Sequence, residues 1–273
     1  MDWNKKAEIT FDRAQMRVEG KEHNPHILGN IVWGGLWVIT KACFRVTARG
    51  IENVTQFAGK GVVIVCDHVS YTDPVFQYVE LRPRIWPRFM AKDDIMHDFF
   101  AWFFGMHGAF PVARDSADLS AVKRAVRYLK DGETVAIFPE GTRRGKGGVV
   151  LRMHARAALI ARMAKVPVVP STVHNAEVIK RKGERLRFPK VTVEYGKPLY
   201  LKDFEWVPKP NRMEAFSWFA MRECFAMRQH VEPTEVDMHA LFVDDNDYSD
   251  LFGSWRPGME PPVVEAAKGK DKQ

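Results

Sequence analysis

The sequence is poor in cysteine. Three in 273 residues, Cys43, Cys66 and Cys224, exclude a disulfide-built scaffold, and none has the spacing of a metal site. Each sits in an apolar stretch, so buried thiols in a reducing compartment are expected, with no metal bound. A secretory signal is missing too: MDWNKKAEITFDRAQ at the N-terminus carries charges where such a signal has an apolar core. Exposure to the cytosol is therefore expected. There are no internal repeats, and long apolar runs are lacking outside one segment, which excludes a polytopic membrane protein. With 46% apolar and 27% charged residues the chain is no disordered polymer, and it holds enough apolar material for one sizeable core. Acidic residues are in deficit, 34 against 41 basic, leaving a net charge of +7. That balance favours an anionic partner and leaves nucleic acid, acidic lipid and a phosphorylated substrate open. The imbalance is local. Residues 141–190 hold 13 basic and 2 acidic side chains, whereas 231–260 hold 1 basic and 8 acidic.

The exceptional apolar run covers residues 27–44, ILGNIVWGGLWVITKACF. Its one charge is Lys41, and Trp33 and Trp37 fall i,i+4 on one helical face. Asn30 and the Gly34-Gly35 pair weaken it as a spanning helix, which needs roughly 20 predominantly apolar residues. Tryptophan favours the headgroup level of a bilayer, so residues 1–45 are expected to form a membrane-associating segment with a helix lying in the interface. A helix buried in the core is the alternative. Lys21, Lys41, Arg45 and Arg49 flank the run, as an anionic lipid surface would favour.

Beyond it the hydrophobic period changes. RVTARGIENV reads as a short strand turning at Gly50, and further strands are expected at 61–66 (GVVIVC), 87–92 (PRFMAK), 108–112 (GAFPV), 134–138 (TVAIF), 166–169 and 191–195. Helical spacing is expected from Pro74 onward, over 93–107, 120–130, 153–164 and 212–230. Alternation of strands and helices argues an α/β fold with a mostly parallel central sheet flanked by helices, over residues 46–205. Residues 206–273 read as a C-terminal extension: one helix, an acidic segment with weak signals, and a disordered end, EAAKGKDKQ.

Four segments carry chemistry, each at a strand's end. In DHVSYTDP (67–74), His68 and Asp73 are five positions apart, on opposite sides of a strand and about 140° apart on a helix. They meet only if the chain turns between them. A carboxylate beside an imidazole fixes its tautomer and makes it a better base. No nucleophilic Ser or Cys sits at an obvious elbow, so the pair reads as a base for a substrate hydroxyl without a covalent intermediate. Asp73 before Pro74 also has the form of a helix N-cap followed by Pro at the first helical position. In FPEGTRR (138–144), Gly141 permits a tight turn at a strand's C-terminal end, where ligands gather in open α/β sheets. An Arg there can clamp a phosphate bidentately, and Glu140 orients the turn or the Arg. A surface turn with solvated charges is the alternative. GAFPVARD (108–115) places Arg114 after a strand, and Lys92 ends PRFMAK beside an apolar helix. VPVVP (166–170) reads as a strand bounded by prolines.

In chain order, and each at a strand's end, the segments resemble the PlsC-type glycerophospholipid acyltransferase family, the 1-acylglycerol-3-phosphate acyltransferases. DHVSYTD is similar to the family's HX4D block, GAFPVAR to its second, FPEGTR to its third almost letter for letter, and VPVVP to its fourth. The resemblance covers roughly residues 46–200. It implies that His68 is the general base for the acceptor's hydroxyl, that Asp73 orients it, and that Lys92 stabilises the developing oxyanion. It also implies an acceptor phosphate bound by Arg143 and Arg114, with Glu140, Gly141 and Thr142 in the binding turn. One departure is RMHARAAL (152–159), where relatives usually have a glycine-bearing helix start; Arg152, His154 and Arg156 add charge there, which bears on the acceptor's identity.

The implied reaction moves an acyl group from acyl-CoA or acyl carrier protein to the free hydroxyl of 1-acylglycerol-3-phosphate, giving phosphatidic acid. The acyl thioester is a co-substrate, and no cofactor is expected. The expected place is the cytoplasmic face of the cell membrane, as a peripheral or monotopic protein on an anionic surface. Alternatives are a different acceptor (glycerol phosphate, another lysophospholipid or a glycolipid) and a non-catalytic basic membrane-binding protein. Nucleic acid is not expected as a partner, because Phe188 is the one aromatic residue among the basic residues of 141–190.

Overall fold

Val62–Cys66, β-branched and apolar without alternation, forms strand β2 with all five residues buried, as a strand covered on both faces must be. It lies at the centre of a seven-stranded sheet in the computed structural model, which describes residues 27–262 other than 83, 93–95, 97, 113–118, 145–150 and 181–182. The other strands are β1 (Thr47–Arg49), β3 (Pro87–Lys92), β4 (Ala109–Val112), β5 (Thr134–Ile137), β6 (Val168–His174) and β7 (Thr192–Tyr195). Their order is β1-β7-β6-β2-β5-β3-β4. The five strands from β6 to β4 run parallel. β7 is antiparallel to β6 and carries β1 parallel to itself. The sheet is therefore mostly parallel, as the alternation of elements predicts.

Parallel neighbours need crossovers, and helices supply them. The helices are α1 (Ile27–Phe44), α2 (Glu52–Thr55), α3 (Asp73–Leu81), α4 (Asp98–Met106), α5 (Leu119–Lys130), α6 (Arg156–Ala164), α7 (Arg212–Gln229), α8 (Met238–Leu241) and α9 (Ser249–Phe252). α5 shows the logic: Val122, Ala125, Val126 and Leu129 are buried on one face, while Lys123, Arg127 and Lys130 stay exposed. Successive residues of β2 point to opposite faces. Val63 and Val65 join a core with α5, α6 and α7, and Val62, Ile64 and Cys66 join one with α3 and β7.

Three boundaries differ from the sequence reading. The helix expected over 153–164 starts at Arg156; before it, the Met153 N–H donates to the Asp245 carboxylate (2.6 Å) and the His154 N–H to the Pro139 carbonyl (3.1 Å). The helix expected over 93–107 is described from Asp98; residues 93–95 and 97 lie outside the described residues. β6 does not stop at Pro170 but runs on to His174, with the Pro170 carbonyl accepting from the Gly196 N–H (2.8 Å).

The segment read as a C-terminal extension is built into the core. Phe216, Trp218, Phe219 and Phe225 of α7 are buried, and Phe204, Phe252 and Trp255 pack edge-on against Phe219. The residues EAAKGKDKQ lie outside the described residues.

α1 is neither fully buried nor free of the body. Arg82 donates to Asn30 Oδ1 (2.9 Å) and to the Tyr78 hydroxyl (2.7 Å), and its guanidinium covers the Trp86 ring at 3.3 Å. Lys41 donates to Glu80 (2.7 Å) and to the Val46 carbonyl (2.8 Å), so it faces protein rather than lipid. Arg45 likewise donates to the Phe188 carbonyl (2.8 Å). Trp33 packs on the core beneath, whereas Ile31, Trp37, Val38 and Ile39 are exposed. The two tryptophans thus part company. Among the described residues no helix is long and apolar enough to cross a membrane.

Candidate active site

After Cys66 the chain leaves the sheet and turns, and Asp73 opens α3 with no exposed surface. Its Oδ2 accepts three hydrogen bonds, from His68 Nδ1 (3.0 Å), the Val69 N–H (2.9 Å) and the Ser70 N–H (2.8 Å). An ionised carboxylate can only accept, so Nδ1–H donates, and in the neutral imidazole that places the lone pair on Nε2. Burial pushes the Asp73 carboxyl above its ordinary value, against the pull of His68 and the Ser70 amide. The side chain bonds to residues before the helix and caps none of the helix's own amides, although Pro74 does occupy the first turn. The turn therefore brings imidazole and carboxylate together, and Asp73 does not serve as a side-chain cap.

The turn after β5 is tied to this one. Phe138 lies against the His68 ring, centroids 4.4 Å apart and planes at 34°, and the Arg144 N–H donates to the His68 carbonyl (2.8 Å). β2 and β5 are adjacent parallel strands, so their C-terminal ends present both signature turns side by side. Gly141 has φ +64°, a conformation that strains any residue with a Cβ. An added Cβ would meet His154 at an ordinary 3.5 Å, so the backbone rather than space demands glycine.

The two arginines of this turn do different work. Arg144 Nε donates to the buried Glu140 carboxylate (2.9 Å), and its guanidinium lies 4.5 Å from the Phe225 ring and 4.7 Å from the Phe242 ring. It also donates to the Leu241 carbonyl (3.3 Å). Burial pushes the Glu140 carboxyl up to about 7 against the pull of Arg144. Glu140 therefore orients Arg144 and shapes the turn from inside. Arg143 is placed differently. Its guanidinium lies 3.2 Å from the centroid of Tyr71, an exposed residue of the His68–Asp73 turn. A cation over an aromatic face is attracted by the ring's quadrupole, and this holds Arg143 against the turn that carries His68 and Asp73.

The structure thus brings His68, Asp73, Glu140, Gly141, Thr142 and Arg143 together. Lys92 ends β3 on the same edge of the sheet, with β5 between it and β2. Arg114 lies outside the described residues. Sequence reasoning passed over Tyr71 and Phe138, which pack against Arg143 and the His68 ring; both lie inside the signature segments, but an aromatic within a turn has no period to single it out. The basic stretch is also partly compensated by the acidic one: Arg152 pairs with Asp244 (3.3 Å), and Asp245 takes the Met153 amide.

The family model described as Acyltransferase matches residues 45–174, a span that holds both turns. A 1-acyl-sn-glycerol-3-phosphate acyltransferase of Streptococcus pneumoniae is 32% identical over 202 residues, 72% of this chain and 70% of that protein. One from Bacillus subtilis is 32% identical over 162 residues, 59% of this chain and 77% of that protein. Among solved structures, the 1-acyl-sn-glycerophosphate (LPA) acyltransferase PlsC from Thermotoga maritima has the same fold, with a TM-score of 0.55 at 19% identity over 82% of this chain and 89% of that one. With both signature turns assembled around His68 and identity above 30% across most of its length, the chain belongs to the PlsC-type glycerophospholipid acyltransferase family.

Proposed function

We propose that the protein transfers an acyl group from an acyl thioester, acyl-CoA or acyl carrier protein, to the free hydroxyl of 1-acylglycerol-3-phosphate, giving phosphatidic acid. The observation that supports this reading is the His68–Asp73 pair, in the same turn as the Tyr71 ring over which the Arg143 guanidinium lies. The acceptor's O–H proton passes to Nε2 as its oxygen attacks the thioester carbonyl. The tetrahedral oxyanion then collapses, the C–S bond breaks, and the leaving thiolate takes the proton back from the imidazolium. The thioester arrives activated, so the reading draws on no cofactor. Arg143 holds the acceptor phosphate, Thr142 lies beside it in the same turn, and Lys92 stabilises the oxyanion from the end of β3.

A panel of acceptors with one labelled acyl-CoA tests the assignment. Lysophosphatidate is expected to exceed glycerol phosphate and neutral lysolipids. In Arg143→Ala the acceptor's KM is expected to rise roughly 10- to 100-fold, the worth of a charged hydrogen bond, with the donor's within about twofold. Equal changes in both constants, or a preference for neutral acceptors, would reject the phosphate role.

The reaction is placed at the cytoplasmic face of the cell membrane, with the protein peripheral or monotopic. What supports this is the outer face of α1, where Ile31 and Val38 are 65% and 57% exposed. Each such side chain gains about 1.5–3 kcal/mol on leaving water. The double change Ile31→Glu with Val38→Glu is expected to abolish sedimentation with anionic vesicles and to leave the melting temperature in place. Undiminished sedimentation would assign that face elsewhere.

A further inference from the structure

The stretch matched by the acyltransferase family model stops at residue 174, yet the turn carrying His68 is held from outside it. Asp67, immediately before the base, has no exposed surface. A carboxylate buried this way is stable only when paired and hydrogen-bonded. Arg228, in the last turn of α7, pairs with it, Nε donating to Asp67 Oδ2. The same guanidinium donates to the Val173 carbonyl (3.1 Å) and to Glu177 (3.5 Å). Val173 belongs to β6 and Asp67 follows directly on β2, and these strands are hydrogen-bonded neighbours in the register Cys66 to Ser171. One planar group therefore braces the ends of two strands. A guanidinium's fixed fork suits this, whereas the point charge of an ammonium does not reproduce it.

The brace has a firm mount. α7 is anchored by the buried Phe216, Trp218, Phe219 and Phe225, and it ends just beyond Arg228 at His230, whose φ of +57° breaks the helix. The His68 turn is then restrained at three points: Asp73 ties its far end, the Arg144 amide ties the His68 carbonyl, and Arg228 ties its near end through Asp67. Without the last, the near end of the turn at Asp67 loses its tie to the sheet, and the imidazole is held only through the Arg144 amide and Asp73.

We infer that Arg228 is a positioning residue for acyl transfer, acting through Asp67 to fix the turn on which His68 stands. The inference rests on the acyl-transfer reading of the site. Misplacement of a reacting group by about 1 Å can cost roughly 100-fold in rate. Arg228→Lys, which keeps the charge but not the fork, is expected to lower kcat roughly 10- to 100-fold, with both KM values within about twofold and a cooperative melt retained. In ¹⁵N-histidine NMR, with the His68 signal assigned by comparison with His68→Ala, wild type is expected to show one Nδ1-protonated tautomer and Arg228→Lys a mixture. The NMR readout needs no turnover, so a wild type with no acyl transfer would reject the proposed function while the tautomer still tests the brace. Folded Arg228→Lys with kcat within twofold of wild type and one tautomer would overturn the inference. If Arg228→Lys does not fold, Asp67→Asn with Arg228→Gln removes both buried charges and keeps a single hydrogen bond. That variant is expected to fold and to show the same loss of kcat, and full kcat in it would overturn the inference equally.

Discussion

His68→Ala is expected to lower acyl transfer to lysophosphatidate by roughly 10²–10⁴-fold, the usual worth of a positioned general base. The loss should fall on kcat. The hydroxyl of the acceptor is a poor nucleophile until its proton is removed, and the described turn offers Nε2 for that proton because Nδ1–H is held by Asp73. Folding should survive. The substitution removes a half-buried ring and its contact with Phe138, but Asp73 keeps the Val69 and Ser70 amides, and the Arg144 bond to residue 68 is made by the backbone carbonyl. Vesicle sedimentation should also survive, since α1 makes its contacts with the body through Asn30, Trp33 and Lys41. Steady-state kinetics with a melting curve and a sedimentation assay on the same preparation check all three. Unchanged turnover would remove His68 from the mechanism, and the dyad with it.

The parts of the fold legible in the sequence are those where one local rule decides. VVIVC and TVAI are short, β-branched and without alternation, which reads as strands buried on both sides, and strands of that kind belong to a parallel sheet with helical crossovers. The dyad was legible only as a condition: His68 and Asp73 meet if the chain turns, and three bonds to one carboxylate oxygen show that it does. The residues by themselves did not tell the two arginines apart, and only the family resemblance singled out Arg143. Arg143 and Arg144 are adjacent and chemically alike, and their directions are set by the left-handed backbone at Gly141 and by Phe225 and Phe242, which are 81 and more positions downstream of Arg144. The aromatic layer of residues 204–255 escaped for another reason. α8 and α9 are four residues each, too short to show a helical period, so burial of Phe242 and Phe252 left no pattern along the chain. Arg228 lay in plain view on a well-marked helix, but its partner is 161 positions away.

Asp73→Asn separates catalytic from structural roles most sharply, because activity and stability should move in opposite directions. The asparagine oxygen can replace Oδ2 in accepting from the Val69 and Ser70 amides, and these two donors fix which end of the amide points inward. The turn is then kept and Nδ1–H still finds an acceptor, but the negative charge that stabilises the forming imidazolium is gone. A loss in kcat of roughly 10²–10⁴-fold is expected, comparable to the removal of the base itself. Stability should rise. Burial holds the Asp73 carboxyl above its ordinary value, so the folded state binds this proton more tightly than the unfolded chain does. Its contribution to stability is then present at acid pH and lost as the pH rises through the folded-state value. Asparagine carries no such dependence. The variant should melt higher than wild type at neutral pH, and the gap should close as the pH falls below the ordinary carboxylate range, where Asp73 is protonated in both states. Paired melting curves across that range, with kcat measured on the same samples, check the two effects together. A variant that lost activity by melting lower would show Asp73 to be chiefly a structural acceptor, whereas retained activity would show that His68 works without its carboxylate.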